Sequence, residues 1–203
     1  VMKKISKLSF VAAMNHPKGG KNDIPNRLKR HFFIFNMVLP NEQSINDIYG
    51  KICQAYFNKK TFNEVIANQA MKLPKLTSDL LKRMENKFQP TPIKFHYTYN
   101  MRELSRTFQG IFNANREGIL KSEQKYQIKS DVFLLCLWKH EATRVFSDKL
   151  RDVDDKKEFV NIVDIVLGEN FEKDVIDQVK TDIYFADYLR PKEVDEEVGC
   201  LTY

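Results

Sequence analysis

Two short, nearly unbroken apolar runs open the chain, and no third follows them. Leu8-Ser9-Phe10-Val11-Ala12-Ala13-Met14 and Phe32-Phe33-Ile34-Phe35-Asn36-Met37-Val38-Leu39 are too short for stable helices. They read as strands apolar on both sides, the pattern of the middle of a covered parallel sheet. Two strands do not make a stable sheet in water, and after Pro40 the apolar spacing becomes helical. The pattern predicts a mainly α chain with a short α/β start. It also predicts a piece of a longer protein, whose sheet continues ahead of residue 8.

The helical part divides at recognisable signals. Between the two strands, Asn15 to Asp23 is a stretch of turn formers, and Ile24 to His31 is a short helical segment that Asp23 can cap and Pro25 can start. Asn41 suits the N-cap of a helix to about Phe57, with Ile45, Ile48, Ile52 and Tyr56 at helical spacing. A further stretch runs from Phe62 to about Phe88 with Val65, Ile66, Leu76, Leu80 and Leu81 inward, broken or kinked at Pro74. Pro90-Thr91-Pro92 forces an extended link. Residues 101–114 form an amphipathic helix, and Gln127 and Ser130 introduce a longer one over 131–150 with Phe133, Leu134, Leu137, Val145 and Phe146 on one side. Two more helices follow near 155–167 and 171–180, and 191–197 reads as an acidic linker.

Composition enters where it excludes. The chain has 203 residues, 42% hydrophobic and 30% charged, with 7 Gly and 7 Pro, which rules out collagen-like or wholly disordered chains. No run is long enough to span a membrane and no cleavable leader is readable. Cys53, Cys136 and Cys200 are odd in number and far apart, which suits reduced thiols in a cytosolic compartment rather than disulfides or a zinc site. The net charge of +6 hides a split, basic up to Arg151 and acidic beyond it. Such asymmetry fits a nucleic-acid binder with an acidic tail, a basic helical scaffold, or a fragment whose basic part faces nucleotide phosphates or an acidic neighbour.

Three places carry candidate chemistry. Asn15 sits at the carboxyl end of a buried strand, where open α/β sheets bind ligands; the alternative is that it only starts a turn. Arg27, Lys29 and Arg30 share one short helix, and reach either a phosphate or only solvent. Arg102 and Arg106 lie four apart on one helix face, with Arg102 near the N-terminus, where an anion is favoured; neighbouring Glu103 offers surface pairs with lysines instead. Gly19-Gly20-Lys21 lacks the spacing and the following Ser or Thr of a phosphate loop, and no HExxH, CxxC or Gly-x-Ser-x-Gly string is present. Trp138 reads as core.

Three stretches together resemble the dynein heavy chain in its third AAA+ module, most closely the axonemal outer-arm chains of the gamma kind. They are Ala12 to Phe32, with its Gly19-Gly20-Lys21-Asn22-Asp23-Ile24-Pro25-Asn26-Arg27 core; Pro90 to Arg106 with Gln109-Gly110; and Leu137-Trp138-Lys139-His140-Glu141-Ala142-Thr143-Arg144-Val145-Phe146-Ser147-Asp148. That family is a ring of six AAA+ modules that turns ATP hydrolysis into minus-end-directed movement along microtubules in cilia and flagella. The resemblance implies the last part of an AAA+ large subdomain over 1–39, a helical lid over 40–150, a helical extension over 151–190 and an acidic link to the next module over 191–203. It implies that Asn15 is sensor one, that Arg102 is the sensor-two arginine, and that Arg30 is an arginine finger acting on the preceding module, with Arg27 the weaker choice. The nucleotide is ATP or ADP with Mg, and most of its ligands, Walker A and Walker B among them, lie outside this chain, which alone is expected to be inactive. The implied partners are neighbouring AAA+ modules and, in the parent, microtubules and intermediate and light chains, with no nucleic acid and no membrane.

Overall fold

The computed structural model describes residues 3, 5–14, 22–38, 40–114, 119, 129–179 and 184–185. The chain divides into two units, Val1–Leu39 and Pro40–Tyr203.

In the first unit the described residues form one short helix, α1 (Asn26–Lys29). Pro25 takes the N-cap position, and no side chain caps it. Asp23, expected to do so, instead accepts from Ile24 N (2.8 Å) and pairs with Lys29 (2.9 Å). The strands expected over 8–14 and 32–39 are not formed among the described residues, which are irregular there. Val11 is 97% exposed and Phe33 85%. The physical reason is the one the pattern carries. A strand apolar on both faces needs neighbours on both edges and cover on both faces, and the described residues supply none of these.

The second unit is helical: α2 (Glu42–Tyr56), α3 (Glu64–Ala70), α4 (Leu73–Lys87), α5 (Met101–Ile111), α6 (Ser130–Ala142), a π-helical turn (Thr143–Ser147), α7 (Val153–Asn170) and α8 (Lys173–Val179). Asn41 caps α2 as expected, its Oδ1 accepting from Ser44 N at 2.8 Å. The stretch from Phe62 breaks just before Pro74, which sits in the first turn of α4, where its missing N–H costs nothing. Val65 on α3, expected inward, is exposed, and of the apolar residues at helical spacing on α2, Ile48, Ile52 and Tyr56 are exposed, while α2 turns Ile45, Gly50 and Cys53 to the core.

Helix α6 departs furthest from its expected single apolar side. Every residue from Val132 to Trp138 is buried, because α6 packs against α3, α5 and α8 at once. An all-round apolar helix is a central helix. Trp138 is fully buried, and its Nε1 donates to Thr77 Oγ1 (2.9 Å), whose hydroxyl donates in turn to Leu73 O (2.8 Å). The indole is thereby packed with its one polar atom satisfied. Cys53 and Cys136 are buried free thiols, pushed up by burial to about 12 and about 11, so neither is a ready nucleophile at neutral pH. Among the described residues no helix is long and apolar enough to cross a membrane.

Candidate functional site

Helix α5 is built to begin at one fixed place. Asn100 Oδ1 accepts from Arg102 N (2.8 Å), and Glu103 Oε2 accepts from Asn100 N (2.9 Å), a reciprocal capping box. Glu103 is buried and Arg102 is exposed. The cap therefore turns the acid inward and projects the adjacent arginine outward from the first turn, where the helix dipole favours an anion. The surface pairing weighed for Glu103 is replaced by an inward one: Lys149 Nζ lies 3.1 Å from its Oε1. Burial lowers the Lys149 pKa below its usual value, and Glu103 partly restores it.

Arg106, one turn on, is exposed on the same face as Arg102. It lines an open, shallow concavity of about 500 Å³ with Gln109, Gly110, Asn113, Glu141 and Arg144. Glu141 is fully buried in its wall, and its Oε2 accepts from Arg144 Nε (2.9 Å) and Nη2 (2.5 Å). The carboxylate packs against the bare Cα of Gly110, where a Cβ would stand 1.9 Å from Glu141 Oε2. The resulting face offers guanidinium and amide groups, donors that suit phosphate oxygens and carboxylates.

Of the residues singled out in the sequence, Arg102 and Arg106 both lie on the exposed face of α5, Arg102 in its capped first turn. Arg27 is exposed on α1, and Arg30 is its exposed C-cap, with Nε 3.3 Å from His31 Nε2. Asn15 lies outside the described residues, as do the acidic segment 191–203 and Cys200. Sequence reasoning missed Lys149, Glu141 and the close approach at Gly110. Glu141 carried no clear signal, since Lys139 and His140 separate it from the apolar run 132–138. Lys149 had none either, since its partner stands 46 residues away in the sequence. Among the described residues no cluster of His, Cys, Asp and Glu is arranged to hold a metal ion.

Residues 74–182 match the AAA+ lid domain family, and residues 1–40 match the P-loop containing dynein motor region. The chain is 46% identical over 199 residues to the dynein gamma chain of the flagellar outer arm of Chlamydomonas reinhardtii, covering 95% of this chain and 4% of that one. It is 38% identical over 208 residues to dynein axonemal heavy chain 5 of Rattus norvegicus, covering 96% and 6%. To dynein axonemal heavy chain 8 of Homo sapiens it is 37% identical over 193 residues, covering 95% and 4%. The chain belongs to the axonemal dynein heavy chain family. It spans only about one-twentieth of the length of these relatives.

Proposed function

We propose that this chain is the lid-bearing part of the third AAA+ module of an axonemal outer-arm dynein motor ring, and that it senses nucleotide and couples neighbouring modules. The observation that carries the reading is Arg102, held outward by a two-way cap at the start of α5 in a chain whose residues 74–182 match the AAA+ lid. Residues 1–39 then end the large subdomain, 40–150 form the lid, 151–190 extend it, and 191–203 link to the next module. The ligand is ATP or ADP with Mg, and it supplies the phosphoryl group whose cleavage drives the ring. The donors on the exposed face of α5 fit its phosphate oxygens. Arg102 reaches the phosphates of its own module as sensor two, Asn15 serves as sensor one, and Arg30, ahead of Arg27, serves the nucleotide of the preceding module. Phosphoryl transfer is mostly positioning and charge stabilisation, so cationic groups of this kind suffice for a catalytic influence from outside the Walker motifs. In the whole heavy chain the partners are the neighbouring modules, the microtubule and the intermediate and light chains, and the place is the ciliary or flagellar axoneme.

The test is made in the intact heavy chain. Arg102→Ala is expected to weaken nucleotide binding at this module by about tenfold to a hundredfold, the loss of a charge-assisted contact. Arg30→Ala is expected to slow hydrolysis at the preceding module, by up to about 10³-fold if that site depends on it. Unchanged ATPase and microtubule gliding in both variants would reduce this chain to a passive helical scaffold.

A further inference from the structure

The segment leading into α5 is stapled along its length to the corner between the π-helical turn and α7. Lys94 pairs with Asp152 (2.6 Å) and Asp155 (2.5 Å). His96 Nε2 lies 3.1 Å from Lys149 O. Tyr97 Oη donates to Asp155 Oδ2 (2.7 Å) and accepts from Arg151 N (2.8 Å). Tyr99 Oη donates to Phe146 O (3.2 Å), with its ring stacked on Phe146.

Lys149 makes the last of these staples, and the one nearest to Arg102. Its Nζ donates to Thr98 O at 2.8 Å, pairs with Glu103 Oε1 at 3.1 Å, and stands 3.9 Å from the centre of the Tyr99 ring. One ammonium therefore holds the segment before the cap, the aromatic beside it and the acid that closes it. Glu103 in turn takes Asn100 N, and Asn100 takes Arg102 N. The path from Lys149 to the backbone of Arg102 is continuous, each step a hydrogen bond of 3.1 Å or less.

We propose that Lys149 is a positioning residue for Arg102, fixing the start of α5 so that the arginine meets phosphate in one geometry and making its placement depend on the corner that begins α7. This rests on the sensor-two reading of Arg102. A misplacement of about 1 Å in a group that must meet a reacting phosphate is enough to cost about 10²-fold. The corner also connects Arg102 to whatever moves α7. A displacement of α7 reaches the phosphate-facing arginine through a side-chain chain with defined hydrogen bonds rather than through general softness.

The experiment uses the intact heavy chain with nucleotide binding at its other modules abolished, and reads the Kd of a fluorescent adenine nucleotide. Lys149→Met keeps the stem against Tyr99 and removes the charge; it is expected to raise Kd about tenfold. Lys149→Arg, which restores the charge, is expected to return Kd to within about threefold of the parent. The Lys149→Met, Arg102→Ala double variant is expected to bind no more weakly than Arg102→Ala alone, because a positioning residue has nothing to position once the arginine is gone. Glu103→Gln probes the other end of the same pair, should Lys149→Met fail to fold, and is expected to show the same lack of additivity. A full additive loss in the double variants, or an unchanged Kd in both Lys149→Met and Glu103→Gln, overturns the proposal while leaving Arg102 as the sensor. An unchanged Kd in Arg102→Ala alone overturns the sensor reading, and the positioning role with it.

Discussion

Gly110 and Glu141 show how a single side chain sets the limits of its neighbour. Glu141 has no exposed surface, and Arg144 Nε and Nη2 both donate to its oxygen that faces Gly110. Even a methyl group at 110 would stand 1.9 Å from that oxygen, so Gly110→Ala must push a pinned, buried carboxylate out of place. The expected cost is about 1–3 kcal/mol, read as a lower denaturation midpoint with an unchanged m-value. Adding Glu141→Ala should recover part of the loss caused by Gly110→Ala, because the clash is then removed. Fully additive losses would show that the two residues do not meet. Neither half of this pair announces its partner in the sequence, where 31 positions separate them.

Individual elements were legible in proportion to how local their causes are. The start of α2 at Asn41, the break at Pro74 and the outward face of α5 with Arg102 and Arg106 follow from caps, a missing N–H and the 3.6-residue period. The expected single apolar side of α6 fails because that helix is covered by three others, a tertiary fact that its own run of apolar residues leaves open. The corner between the π-helical turn and α7 is likewise invisible locally, yet it carries an electrostatic cluster with a definite pH response. Asp155 is held below the usual carboxylate range, chiefly by its hydrogen bond from Lys94 and also by that from Tyr97. A carboxylate whose pKa is depressed by folding contributes stability that is present above its unfolded value of about 3.9 and is lost as pH falls through the folded one. Acid should therefore loosen this corner below about pH 4, and Asp155→Asn should flatten that part of the stability profile. A profile below pH 4 identical in parent and variant would show that Asp155 gains nothing there from folding.

At the scale of the molecule, the first unit exposes what a folded domain normally covers. Phe33, Ile34, Phe35, Met37 and Val38 are all more than half exposed, whereas the second unit closes a continuous core from Ile45 to Phe185. If residues 32–38 belong to a parallel sheet in the intact heavy chain, their amides should exchange quickly in this chain and be protected there. Fast exchange in both settings would remove the strand assignment altogether. The amino-acid sequence by itself determined the class: helical period after Pro40, capping chemistry, and strings specific enough to mark an AAA+ lid, because these depend on neighbours within a few residues. Only the tertiary structure decided that α6 is central, that Glu103 is buried, and that Lys149 fastens the start of α5. The reason is that a buried charge finds its partner across space, and the sequence separation of 46 residues between Lys149 and Glu103 holds no local trace of that contact.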